Sequence, residues 1–204
     1  MSEGRVANNS AQYSHQRRDY WEKSQPGLRR WEWVRRGYQR RLRQIYSFMI
    51  PPGMRVLELG CGSGDLLASV KPARGVGVDF SAAALEQARQ RHPELHFIPA
   101  DVHDLALDEQ FDFIICADLI NDLWDVQRVF EVARHHAHAG TKLVLNVYSN
   151  LWQIPRRAAE STGLARRLML QNWLTTGDAR NLIEFHETSP RHEVRCGPPS
   201  RRRS

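Results

Sequence analysis

Val56-Leu-Glu-Leu-Gly-Cys-Gly-Ser-Gly-Asp65, followed nineteen residues after Gly60 by Asp79 in Gly75-Val-Gly-Val-Asp79, is the stretch on which the fold turns. The run Met54 to Leu59 has the length and branching of a buried parallel strand, and glycines follow it at positions 60, 62 and 64. Only glycine turns a backbone this sharply beside a ligand. Asp65-Leu-Leu-Ala-Ser-Val70 can begin a helix, so free loop N–H groups and the positive helix end are expected to face whatever sits above the strand. The unit reads as a strand, loop and helix that cradle a nucleotide-like ligand.

The third glycine separates the ligand classes. A dinucleotide fingerprint G-x-G-x-x-G/A needs Gly or Ala at position 65 for close helix packing, and Asp65 stands there. Its carboxylate would repel a pyrophosphate, whereas a sulfonium with an amino-acid tail carries no phosphate. No Gly-Lys-Ser/Thr follows, so a P-loop is excluded.

Outward from this unit the βα pattern continues: strand 54–59 and helix 65–71, strand 74–79 and helix 82–91, strand 95–98, strand 111–116 and helix 125–138, then a turn at Gly140 and a fifth strand Lys142–Val147. Ser81 and Asp125 are expected to cap the helices they precede, and His92-Pro93 to close the second. His135, His136 and His138 fall at a helix end, where cationic side chains suit the dipole. On the amino-terminal side, Leu28, Trp31, Val34, Tyr38, Leu42, Ile45 and Met49 step by three or four residues, predicting an amphipathic helix with an arginine-rich outer face, ended by Pro51-Pro52-Gly53.

Length and composition fit one soluble domain of 204 residues. Three scattered cysteines without C-x-x-C spacing argue against a disulfide framework or zinc site, and no metal is expected. The polar N-terminus has no apolar signal region and no stretch reaches membrane-span length, so a cytoplasmic protein is expected. Residues 17–43 hold ten Lys or Arg against three Asp or Glu and residues 191–203 five against one, so with an overall charge of +6 the rest of the chain carries −5. We divide the chain into an N-terminal arm or lid over 1–27, a catalytic domain over 28–185 and a disordered tail over 186–204.

The segment Glu58-Leu-Gly-Cys-Gly-Ser-Gly64 with Asp79 resembles the class I S-adenosylmethionine-dependent methyltransferases, over roughly residues 28 to 150. The resemblance implies a doubly wound, mostly parallel sheet of order 3-2-1-4-5. It implies that Glu58, Gly60, Cys61, Gly62 and Gly64 hold the methionine part of the cofactor. Asp79 takes the ribose hydroxyls, Phe80 lies against the adenine, and Asp101 with Val102 reads the adenine edge; a carboxylate accepting from a diol is sound chemistry. The details of arm and loops look like type 11/12 methyltransferases, and like bacterial domains associated with family 2 glycosyltransferases. Such enzymes close their sheet with further strands, the last antiparallel; after Tyr148 no such alternation appears, so these strands are expected to be missing or degenerate, either through truncation or a frameshift or because this is a smaller five-stranded variant. Strand five would then be an exposed apolar edge that invites self-association.

In open α/β sheets the site lies beyond the strand carboxyl ends, where the order reverses. The loop after strand four therefore faces the methyl group. Asp118 is the candidate for positioning or deprotonating an acceptor, His103 a second candidate base, and Tyr20, Asn121, Trp124 and Trp152 candidate pocket walls. Three functions follow: methyl transfer to a small-molecule or glycan/lipid-linked acceptor; methyl transfer to RNA held by the basic helix at 29–43; or a cofactor-binding or inactive fragment.

Overall fold

The computed structural model describes residues 32–146. In chain order the elements are α1 (Glu32–Met49), β1 (Arg55–Leu59), α2 (Asp65–Ser69), β2 (Arg74–Asp79), α3 (Ala82–Arg91), β3 (His96–Pro99), β4 (Phe111–Cys116), a 3-10 turn (Ile120–Asp122), α4 (Val126–His135) and β5 (Ala137–Leu145). The five strands form one sheet of order β3-β2-β1-β4-β5, every pair parallel. This is the expected 3-2-1-4-5 order. Among the described residues β5 pairs with β4 alone. No helix among them is long and apolar enough to cross a membrane.

Both faces of the sheet are covered, as near-continuous apolar strands require. Leu57, Leu59, Val76, Val78, Ile114 and Cys116 pack with Val126, Val129, Phe130 and Ala133 of α4. On the other face Val56, Phe113, Ile115 and Val144 pack with Leu42 and Tyr46 of α1, Leu66 and Leu67 of α2, and Leu85 and Ala88 of α3. The arginine-bearing positions of α1 look outward, with Arg36, Arg40 and Arg41 exposed.

Ser81 accepts from the Ala84 N–H at 3.3 Å and Asp125 from the Arg128 N–H at 2.9 Å, so both expected caps form. Several boundaries differ from expectation. Helix α2 stops at Ser69 instead of 71, because Lys71 adopts φ 49°, a left-handed turn that ends the helical ladder. Helix α4 stops at His135 instead of 138. There the His136 ring is fully buried: its Nδ1–H donates to the Val132 carbonyl (2.7 Å) and its Nε2 accepts from the Leu107 N–H (2.9 Å). That pair of bonds requires the uncharged Nδ1–H tautomer, so His136 is a core bracket and not a cation at the helix dipole. Strand β5 begins at Ala137 instead of 142 and is interrupted by an irregularity that sets Phe111 opposite Ala137 but Phe113 opposite Lys142. Thr141 Oγ1 fixes it, accepting from the His138 N–H and donating to the Phe111 carbonyl, so the turn expected at Gly140 is a bulge inside the strand. Strand β3 lies one residue later than expected, at 96–99.

The arm at 1–27, Tyr20, the first residues of the amphipathic helix, Trp152, the strands expected to be missing and the tail at 186–204 lie outside the described residues.

Candidate functional site

The glycine loop joins β1 to α2 at the carboxyl edge of the sheet. Its donors point inward: Gly60 and Cys61 N–H both go to the Val78 carbonyl (2.8 and 3.0 Å), Gly62 N–H to Asp79 Oδ2 (2.8 Å), and Gly64 N–H to the Cys61 carbonyl (2.9 Å). The expectation of free loop N–H groups is therefore corrected at these four residues, and they are no phosphate cradle. Gly64 (φ 73°) is the close-packing position: a Cβ there would stand 2.6 Å from Phe97 Cζ. Gly62 (φ 50°) is glycine for its backbone alone, since nothing lies within 4 Å of its would-be Cβ. The Cys61 side chain is buried, and burial, with the Glu58 and Asp79 charges, pushes its thiol up. Only its backbone belongs to the loop's working face.

Three carboxylates, Glu58, Asp79 and Asp65, gather around this loop. Glu58, from β1, is 3 % exposed; Leu67 N–H at the start of α2 bonds its carboxylate, yet its Oε2 is buried with no hydrogen-bond partner among the described residues. Burial, then the Asp79, Asp65 and Asp118 charges, raise its pKa well above the usual range. Asp79, ending β2, receives Gly62 N–H on Oδ2 and Ser81 N–H on Oδ1 (2.9 Å), with the Phe80 N–H also bonding it; burial raises its pKa despite these bonds. Three donors leave one of its four lone-pair sites open. Asp65 differs. It binds His92 Nε2 (2.9 Å), Arg91 Nη1 (3.0 Å) and the Ser63 hydroxyl (3.0 Å). Burial pushes the Asp65 carboxyl up, but the His92 and Ser63 hydrogen bonds and the Arg91 charge outweigh it and hold it below its usual value. Asp65 thus clamps α2 to the end of α3, which replaces the expectation of an open charge facing the ligand.

After β3, Asp101 Oδ1 accepts from the His103 N–H (3.0 Å) and sits 2.6 Å from His103 Nδ1. His103 Nε2 in turn accepts from the Asp125 N–H at 3.3 Å. Both ring nitrogens of His103 are engaged by the protein, so the ring joins the Asp101 loop to the start of α4. Val102 is buried in the core, leaving its backbone as its available face, and Phe80 is half-buried.

The loop after β4 adjoins the glycine loop, for a Cβ at Gly60 would stand 2.9 Å from Leu119 Cδ1. Asp118 holds φ 55°, a conformation non-glycine residues seldom adopt. It is kept there by Asn146, whose Oδ1 accepts the Asp118 N–H at 3.0 Å, and by the Tyr38 hydroxyl, which donates to Asp118 Oδ1 at 2.6 Å. Asn121 is fully buried within the 3-10 turn, while Trp124 is 41 % exposed. Tyr38, Tyr46 and Asn146 are site residues that the sequence reading did not single out. A signal existed for Asn146, which follows the carboxyl end of a strand, where ligands gather. Among the described residues no group of three His, Cys, Asp or Glu is arranged to hold a metal ion.

The chain has relatives in sequence and in structure. A family model described as "Methyltransferase domain" matches residues 50–186. A Mycobacterium tuberculosis protein named "Probable S-adenosylmethionine-dependent methyltransferase" is 33 % identical over 112 residues, 52 % of this chain and 40 % of that protein. The 2-phytyl-1,4-naphtoquinone methyltransferase of Trichormus variabilis is 37 % identical over 97 residues, 41 % of this chain and 42 % of that protein. The chain therefore spans well under half the length of these curated relatives. A solved Thermotoga maritima structure, titled a SAM-dependent methyltransferase and possible histamine N-methyltransferase, has a TM-score of 0.62 at 21 % identity, covering 76 % of this chain and 73 % of that one. That likeness concerns the fold.

Proposed function

The chain belongs to the methyltransferase domain family, and on that premise we propose that it transfers the methyl group of S-adenosylmethionine to a small-molecule or glycan/lipid-linked acceptor. The observation that carries this reading is Glu58 Oε2, a buried carboxylate oxygen with no partner among the described residues, beside a glycine loop whose N–H donors at positions 60, 61, 62 and 64 are turned inward. A buried polar atom of this kind calls for a ligand. A cationic ligand with an ammonium group supplies its missing partner, and a phosphate does not.

The residues fit the cofactor part by part. Glu58 and the loop at Gly60, Cys61, Gly62 and Gly64 would hold its amino-acid end, Asp79 its ribose hydroxyls, and Phe80, Asp101 and Val102 its adenine. His103 serves as the bracket that orients Asp101, rather than as a base. Asp118 would meet the acceptor, with Trp124 on the same rim and Asn121 supporting the loop from below. When bound, the cofactor supplies a methyl group on a positively charged sulfur that is already a good leaving group, so alignment and water exclusion are the protein's task. The small-molecule acceptor draws support from the naphtoquinone named for the Trichormus relative. A glycan-linked acceptor rests on the sequence resemblance alone.

Titration calorimetry of the chain with S-adenosylhomocysteine tests the reading. Saturable binding is expected, weakened about 10- to 100-fold in Asp79→Ala, the loss of charged hydrogen bonds worth ~1.5–3 kcal/mol. Absence of binding by the unaltered chain would sink the reading.

A further inference from the structure

Four side chains from three elements make one closed hydrogen-bond set at the β4 and β5 ends. Asn146 Oδ1 accepts from the Asp118 N–H and from the Tyr46 hydroxyl (3.1 Å). The Asn146 amide donates to Asp118 Oδ1 and to the Tyr38 hydroxyl (3.2 Å), and Tyr38 donates its own proton to Asp118 Oδ1. Tyr46 is buried, and burial together with the neighbouring Cys116 and Asp118 charges raises its pKa, so it anchors the set as a neutral donor. The outcome is asymmetric: Asp118 Oδ1 holds two donors, while Oδ2 holds none among the described residues. Asp118 is also only partly buried, and its loop touches the glycine loop through Leu119 and Gly60.

We propose that Tyr38 and Asn146 are positioning residues that hold Asp118 with one oxygen committed and the other open to the acceptor, which selects acceptors bearing a hydrogen on the methylated oxygen or nitrogen. The inference rests on the methyl-transfer reading above. A hydroxyl or neutral amine donates its hydrogen to Asp118 Oδ2, which aims a lone pair of the same atom away from the carboxylate. As that lone pair forms the new bond to the methyl carbon, the carbon–sulfur bond breaks with its electron pair left on sulfur, and the proton passes to Asp118. An acceptor carbon with no such hydrogen gains nothing from this arrangement.

The test needs no knowledge of the acceptor. Sinefungin carries an ammonium-bearing carbon in place of the methylated sulfur, so it puts N–H donors at the point of transfer, whereas S-adenosylhomocysteine puts none there. Calorimetry of the full chain with each probe is expected to show sinefungin bound more tightly by about tenfold or more, the strength of one charge-assisted hydrogen bond. Asp118→Asn should abolish that preference and Tyr38→Phe should reduce it severalfold, with S-adenosylhomocysteine affinity unchanged in both. A merely structural role for Tyr38 would weaken both probes together. The proposal is overturned by a preference that is absent in the unaltered chain or untouched in both variants. Failure of both probes to bind refutes the methyl-transfer reading itself, and the inference with it.

Discussion

The two rims of the sheet are built on opposite principles. At the amino edge, Glu109 receives Arg74 on both oxygens (2.8 and 3.1 Å) and Arg55 at 3.4 Å, while Asp112 accepts the Arg55 N–H and pairs with His138. The Arg74 hydrogen bonds hold Glu109 below its usual pKa, and the Arg55 N–H and His138 do the same for Asp112. At the carboxyl edge, Glu58 and Asp79 are buried against apolar surface with backbone donors for company, and burial raises both. One rim is electrostatically closed by its own residues. The other buries carboxyls whose ionisation is costly in the free protein, a cost an arriving cation would offset.

The strongest way to break this contrast is Glu58→Gln. An amide keeps the shape but offers no charge, so S-adenosylhomocysteine affinity is expected to fall about 10- to 100-fold, from ~1.5–3 kcal/mol for a charged hydrogen bond. Stability of the free protein should move oppositely. A carboxyl whose folded pKa lies above its unfolded value contributes stability that is fully present below the unfolded value, about 4.3, and is lost as pH rises through the folded value. The unaltered chain should therefore lose stability on going from acid toward neutral pH, and Glu58→Gln should flatten that decline; denaturant melts across pH 4.5 to 8 measure it. An unchanged slope would show that Glu58 is not held against its charge.

Asp65 sharpens the contrast, because it stands on the carboxyl rim with partners of the amino-rim kind. Its lowered pKa gives the reverse sign: its stabilisation is present above the unfolded carboxylate value and is lost as pH falls through the folded one. Asp65→Ala should cost about 1 kcal/mol at neutral pH after solvent screening of a partly exposed cluster. Affinity for S-adenosylhomocysteine should stay within about threefold. A loss as large as that of Glu58→Gln would move Asp65 into the binding site.

The parallel strands and the positions of Glu58, Asp79, Asp101 and Asp118 at or after their carboxyl ends were legible in the sequence, because apolar strands and turn glycines leave local patterns; the 3-2-1-4-5 order came from the family resemblance. What was illegible depended on distant partners. The inward turn of the loop N–H groups is decided by the Val78 carbonyl and Asp79 on the neighbouring strand. Tyr38 meets Asn146 across 108 residues, and on its helix it had only the spacing of an apolar position. His136 reads as a polar helix end, yet its partner Leu107 N–H lies in the loop between β3 and β4. The first half of β5, Ala137-His-Ala-Gly, lacks an apolar run and is recruited by Thr141 bonding to Phe111.

Arg74→Ala on the amino rim carries the smallest expected effect and is the control for the whole contrast. Arg74 is 44 % exposed at its side chain, so its two bonds to Glu109 work in solvent, and their removal should cost under about 1 kcal/mol. Arg55 stays near Glu109 at 3.4 Å and takes up part of the loss. Raising the salt to about 1 M shortens the screening length to ~3 Å and should erase most of the difference between variant and parent. Binding of S-adenosylhomocysteine should not change, since the hydrogen bonds of Arg74 run to Glu109 and not to the glycine loop. If Arg74→Ala weakened that binding as Glu58→Gln does, the charge of the entire sheet, and not the unpaired carboxylates of one rim, would be what draws the ligand.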